Sequence, residues 1–204
     1  MSYYFFIMIE HLYPTLLYNN MVSDHKVLNY HIDKVIDKIN FNMKDNWGAT
    51  HYLSTDFAPN VSLNILKELG LRKLSQEIDK HIKEYCSELG FEVDDYIMQS
   101  WFSKFEKGNY AHIHDHGDAD ISGVYYYKTN GKDGKLFFQT PNPYHSISKC
   151  YLAQAEDWEH QPLEGKILLF PGWLKHGVRT NMTDNTRISL SFNIYFSGIR
   201  KNIV

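Results

Sequence analysis

Cysteine is nearly missing from this chain: Cys86 and Cys150 are the two among 204 residues. They stand in no metal-type spacing, which excludes a thiolate-held zinc or cluster site. Free thiols and a reducing compartment are expected. Charge of one sign is also scarce. Against 24 Asp and Glu there are 21 Lys and Arg, a net charge of −3, so no strong attraction to nucleic acid or to an anionic membrane is implied. Long hydrophobic runs are lacking too. The apolar stretch at 3–9 has no basic residue before it and is closed by Glu10. It does not read as a signal peptide and is far too short to span a bilayer. A soluble cytoplasmic protein is expected. Repeats, low-complexity stretches and long linkers are absent, and the length suits one domain over 1–204.

What is present favours a β-rich core. Hydrophobic residues make up 43% of the chain and aromatics 15%, with fifteen tyrosines. Tyrosine suits a pleated surface, where the ring packs and the hydroxyl reaches for a partner. Residues 1–92 read as a helix-rich support, opening with one or two strands before about residue 22. From Ser23-Asp24, either of which can cap, Leu28, Ile32, Val35, Ile36 and Ile39 recur at helical spacing. Residues 42–60 are polar and turn-rich. A second helix is predicted over 71–88: Leu71, Leu74, Ile78, Ile82, Tyr85 and Leu89 make one stripe, and Gly90 is placed to end it. A single stripe predicts packing on something flat, such as the back of a sheet.

Over 93–204 the pattern turns to short strands, predicted near 96–102, 109–116, 121–128, 134–139, 148–153, 166–170, 176–180 and 186–196. Hairpin signals stand at Asn130–Gly134 and Pro141-Asn142-Pro143. This spacing predicts a mainly β protein, a double-stranded β-helix (the cupin-like jelly-roll) braced by helices.

His112, His114 and His116 lie within five residues, beside Asp115 and Asp118, and His176 lies sixty residues beyond His116. Residues two apart on a strand share a face, so the clustered histidines can point together. A site that holds a metal facially with open positions needs three ligands from rigid elements. Three sets fit: His116, Asp118 and His176; His114, His116 and His176; or His112 with His114 and a carboxylate from elsewhere. The bland alternative is an exposed His- and Asp-rich loop that binds nothing.

Eleven residues after His176 come Arg187 and, on the same strand face, Ser189. An arginine fork gives a carboxylate two parallel charge-assisted hydrogen bonds, which suits the far end of a dicarboxylate. Leu190, Phe192 and Ile194 have the opposite parity and belong to a core. Within Tyr125-Tyr126-Tyr127, either Tyr126 or its two neighbours can turn hydroxyls toward the same carboxylate, although ordinary packing is the commoner role of such tyrosines.

Further pieces carry a family resemblance. They are Asn46-Trp47-Gly48, Phe105–Tyr110, His114-Asp115-His116 leading to Ser122–Tyr126, Gly134–Phe138, Phe170–His176 and Arg187–Asn193. Together they resemble the Fe(II)/2-oxoglutarate-dependent oxygenase superfamily, more narrowly a group of 2OG-Fe(II) oxygenases common in marine bacteria and their phages. The prolyl 4-hydroxylases are more distantly similar. The resemblance implies His114, His116 and His176 as metal ligands, with Asp118 as a substitute or outlying acid. It also implies Arg187, Ser189 and Tyr126 around the cosubstrate. His116 stands where an aspartate is usual, and three neutral imidazoles leave the site one positive charge higher.

The implied cofactors are Fe(II) and 2-oxoglutarate. The implied activity is hydroxylation of a C–H bond in a small-molecule or peptidyl substrate, with 2-oxoglutarate and O2 converted to succinate and CO2. Trp101, Trp173 and 141–162 are candidates for the substrate mouth. Neither nucleic acid nor membrane is expected as a partner. Two rivals remain: a cupin-like metalloprotein that does without 2-oxoglutarate, and a jelly-roll binding module without catalysis.

Overall fold

The computed structural model describes residues 13–43, 50–55, 63–150, 156–197 and 199–201. The sequence features at 3–9, 46–48, 58–60 and 151–153 lie outside them. Among the described residues the chain runs β1 (Tyr18–Met21), α1 (His25–Asp33), a 3-10 turn (Ile36–Lys38), β2 (Asn42–Met43), β3 (Tyr52–Leu53), α2 (Ile65–Glu68) and α3 (Arg72–Glu88). There follow β4 (Phe91–Val93), β5 (Tyr96–Phe105), β6 (Ala111–His114), β7 (Ile121–Lys128), β8 (Leu136–Phe138) and β9 (Trp158–His160). The chain closes with β10 (Lys166–Pro171), β11 (His176–Val178), β12 (Arg187–Phe196) and β13 (Ile199–Lys201).

A seven-stranded sheet in the order β1-β10-β7-β12-β5-β3-β2 faces a four-stranded sheet in the order β6-β11-β8-β9, the antiparallel jelly-roll arrangement. Period-two alternation gives the large sheet two different faces. On its back, Ile167, Leu169, Tyr125, Leu190, Phe192 and Ile194 meet Leu74, Ile78, Ile82 and Tyr85 of α3 in one buried cluster. Full burial of each such aliphatic side chain contributes about 1.5–3 kcal/mol. Gly123 is required on this face, because a Cβ there would stand 2.3 Å from the Phe192 ring. On the front, Val124, Tyr126, Leu168 and Phe170 pack on Leu136 and Phe138 of the small sheet. The stripe on α3 thus lies against the back of a sheet, and Gly90 ends the helix at φ +83° with its N–H on the Ser87 carbonyl.

Several local expectations change. Asp24 stands at the start of α1, but in the left-handed region (φ 53°), and its side chain makes no capping bond. Its backbone carbonyl instead accepts from Val27 and Leu28. Asn130–Gly134 does not close a hairpin, because β7 and β8 belong to different sheets and the segment carries the chain across. Buried Asp133 organises this crossing by accepting from Thr129 Oγ1 (2.5 Å), Asn130 N (2.9 Å) and Asn185 Nδ2 (2.6 Å). Residues 148–150 form no strand, and β9 is what pairs with β8. The N-terminal part contributes β1, β2 and β3 to the large sheet as well as helices to its back. No helix among the described residues is long and apolar enough to cross a membrane.

Candidate metal centre

His114 ends β6 and His176 begins β11, and these two residues are direct partners in the antiparallel pairing of the two strands. That pairing brings distant stretches of sequence together. The register shifts between His176 and Val178, which pair with His114 and Ala111, so β6 carries one residue more than β11. Such a bulge breaks the alternation. His112 accordingly does not share the face of His114: it is exposed, with its ring edge-on to Tyr110 at 5.0 Å. His116 arrives by a turn rather than a strand. The turn is set by Gly117 N donating to Asp115 Oδ1 (3.1 Å) and by His116 N donating to the Gly172 carbonyl (2.9 Å).

The three rings converge, with centroids 4.5 Å (His114–His176), 5.0 Å (His116–His176) and 5.2 Å (His114–His116) apart. One nitrogen from each lies within 4.8 Å of the others. Exposed Asp115 and Asp118 and His112 are outside this group. Burial holds all three imidazoles below the ordinary value of 6.5, His116 at about 4 and His176 well below, and His114 further disfavours charge on His116, as both do on His176. Neutral rings are the form that binds a metal. His114 Nδ1 lies 2.7 Å from the His112 carbonyl and His176 Nδ1 lies 2.8 Å from that of Leu174, which leaves both Nε2 atoms as lone-pair donors. The donor set therefore fits a divalent ion of the iron or zinc type held by imidazoles.

The same rings line a cavity of about 70 Å3 that also touches Arg187, Ser189, Ser103, Ser191, Tyr126, Trp101 and His51. Arg187 is 2% exposed. Its Nη1 donates to the Gly134 carbonyl at 2.6 Å, and its guanidinium lies over Phe105 at 4.1 Å. Its Nε has no hydrogen-bond partner, and among the described residues no carboxylate forms an ion pair with it, the charge of Asp133 acting on it only from a distance. Burial pushes its pKa down. An unpaired buried cation costs several kcal/mol unless an anion joins it. Tyr126 alone of its run faces this cavity. Tyr125 and Tyr127 turn to the helices, where their hydroxyls donate to Asn29 and Asp33. Burial raises the Tyr126 phenol to about 12.

Two lining or supporting residues escape a reading of the sequence. His51 stacks on Phe105 (4.3 Å, 4° between planes), and burial with the nearby Arg187 charge holds it neutral, at about 4. It lies in a stretch that reads only as polar turns. Asn193 meets His116, and its parity with Arg187 and Ser189 on β12 was the available signal. Trp101 lines the cavity 6.0 Å from His116, whereas Trp173 is half-exposed outside it.

Fold and site together give a jelly-roll with a convergent histidine cluster and a buried arginine. Residues 99–193, which carry all three histidines and Arg187, match the family model described as "Putative 2OG-Fe(II) oxygenase". Over that segment, a little under half of the chain, it is similar to the Fe(II)- and 2-oxoglutarate-dependent oxygenases. No curated protein matches the chain. Among solved structures it is similar to a Pseudomonas putida prolyl-4-hydroxylase, at 13% identity and TM-score 0.57 over 90% of this chain and 94% of that one. It is also similar to a Trichoplax adhaerens prolyl hydroxylase in complex with a hypoxia inducible factor peptide, at 12% and 0.60 over 88% and 83%. HygX from Streptomyces hygroscopicus, with nickel and 2-oxoglutarate bound, aligns at 8% and 0.61 over 90% and 84%.

Proposed function

We propose that this chain hydroxylates a C–H bond of a second substrate, with His114, His116 and His176 holding Fe(II) and Arg187, Ser189 and Tyr126 holding the far carboxylate of 2-oxoglutarate. The observation that carries this reading is Arg187: a fully buried cation without a carboxylate partner, opening on the same cavity as three convergent neutral imidazoles. A dicarboxylate that reaches from the histidines to the guanidinium supplies the missing anion. With iron bound, the chemistry supplied is the oxidative decarboxylation of 2-oxoglutarate by O2, giving succinate and CO2.

The chain's own contribution is positioning and exclusion of water. Phe105 and Gly134 fix the guanidinium so that its fork is preorganised. Ser189 lies on the same strand face, two residues along, and offers a hydroxyl to the same group. Tyr126 keeps its proton and is able to donate it in a hydrogen bond. His51 stays neutral, so it adds no second charge to the pocket. Leu136, Phe170 and Val178 line an apolar part of the wall, and a low-polarity wall strengthens polar contacts beside it. The resemblance of HygX, a structure holding nickel and 2-oxoglutarate, supports the cofactor pair.

The test is an anaerobic titration of the Fe(II)-loaded protein with 2-oxoglutarate, following the weak visible charge-transfer band. The band is expected in the wild type, weakened by Arg187→Ala and lost with His176→Ala. No band in the wild type, or a band indifferent to Arg187→Ala, overturns the cosubstrate assignment. A band that survives His176→Ala overturns the ligand set.

A further inference from the structure

We infer that Asn193, backed by Ser122, is a positioning residue that decides which nitrogen of His116 is offered to the metal. The inference rests on His114, His116 and His176 being the ligand set. A neutral imidazole carries one N–H, so a ring that ligates through one nitrogen must keep its proton on the other. His114 and His176 meet this condition through backbone carbonyls two residues back, at 2.7 and 2.8 Å. A carbonyl only accepts, so both Nδ1 atoms hold the proton and both Nε2 atoms are available.

At His116 the partner differs. Its Nδ1 lies 3.1 Å from Asn193 Nδ2. An amide NH2 only donates, so in this orientation Nδ1 accepts and the proton sits on Nε2. That tautomer cannot ligate through Nε2. The pair behind the ring provides the alternative. Ser122 and Asn193 are direct partners across β7 and β12, and the Ser122 hydroxyl donates to Asn193 Oδ1 at 2.9 Å in a buried setting. A hydroxyl also accepts. A half-turn of the carboxamide brings Oδ1 to His116 Nδ1 and Nδ2 to Ser122 Oγ, and both hydrogen bonds survive with their directions exchanged. The ring gives up the proton on Nε2 and takes one up on Nδ1, so its charge is unchanged. Asn193 is buried (6% exposed), so its carboxamide faces Ser122, His116 and the neighbouring Tyr195 hydroxyl, which can either donate or accept, rather than water. The amide therefore satisfies both tautomers, one for the free ring and one for the ligating ring. Aspartate serves the second alone, and alanine serves neither.

The experiment measures affinity for Zn(II), added alone, by competition with a chromophoric chelator, with folding checked by circular dichroism. Asn193→Ala is expected to bind about 10–100-fold more weakly, and Asn193→Asp to retain wild-type binding. Long-range 1H–15N correlation spectra of the wild type are expected to show His116 protonated at Nδ1 once Zn(II) is bound. Undiminished binding by folded Asn193→Ala, equal losses in the alanine and aspartate variants, or a zinc-bound His116 protonated at Nε2 each overturns the inference. The spectrum decides the matter if Asn193→Ala does not fold. His116→Ala separates the two levels: unchanged zinc binding there brings down the ligand set itself, whereas loss there with none in Asn193→Ala brings down only the role of Asn193.

Discussion

The two faces of β12 make the sharpest contrast in the molecule. Toward the helices the strand presents Ile188, Leu190, Phe192 and Ile194, all in one apolar cluster with α3. Toward the small sheet it presents Arg187, Ser189, Ser191 and Asn193, of which the first three line the cavity and the fourth meets His116. The backbone and the strand pairing with β5 and β7 are shared by both faces, and Arg187, Ser189 and Asn193 are buried as the apolar residues are, with Ser191 half-buried. The apolar face gains stability from burial. The polar face holds an unpaired buried charge and a row of hydroxyls, which makes it costly to the free protein and useful to a ligand. One strand therefore anchors the scaffold and carries the site, because side chains alternate with a period of two.

Substitutions that act on one face and spare the other test this division. His176→Ala is expected to have the largest effect, a loss of metal affinity beyond the about 100-fold that follows removal of an outer hydrogen-bond partner, measured by metal titration. Arg187→Met should weaken 2-oxoglutarate binding by about 2–5 kcal/mol, roughly 30-fold or more, measured by calorimetry on the metal-loaded protein. Metal binding should persist. Stability should change much less than on the other face, because an unpaired buried charge is removed along with its bond to Gly134.

Leu190→Ala, one face over, should cost about 2–5 kcal/mol of stability in denaturant unfolding while the folded fraction keeps its affinity for 2-oxoglutarate. If Arg187→Met destabilises as much as Leu190→Ala, the division of labour fails. A smaller effect is expected from pH. His51 and His116 are held at about 4 when folded and return toward 6.5 when unfolded. The unfolded chain then binds more protons across that window, so stability is full above about 6.5 and falls as pH drops toward 4. Thermal melts between these values should show the decline. Asp118→Asn should leave metal affinity unchanged, since Asp118 is exposed and outside the histidine group.

Much of this architecture was legible as periodicity. The stripe on α3, the strands at 121–128 and 187–196, and the opposite parities of Arg187 and Leu190 all follow from local repeats of 3.6 and 2.0 residues. The hairpin at Asn130–Gly134 misled because glycines and an asparagine serve a crossing between sheets as readily as a tight turn. His51 left no trace, since a histidine among polar turn residues acquires its role only by stacking on Phe105.

The chain by itself determined the jelly-roll class, the two-faced strand and the shared face of Arg187 and Ser189, because each depends on short-range alternation. Spacing left open which of His112, His114, His116 and Asp118 join His176; the resemblance favoured His114 and His116, and tertiary structure brings those two to it. The bulge opposite Gly177 turns His112 away, the turn held by Asp115 and Gly172 brings His116 in, and Asp118 stays in water. Pairing register and a bulge are relations between strands, and no repeat within one strand encodes them.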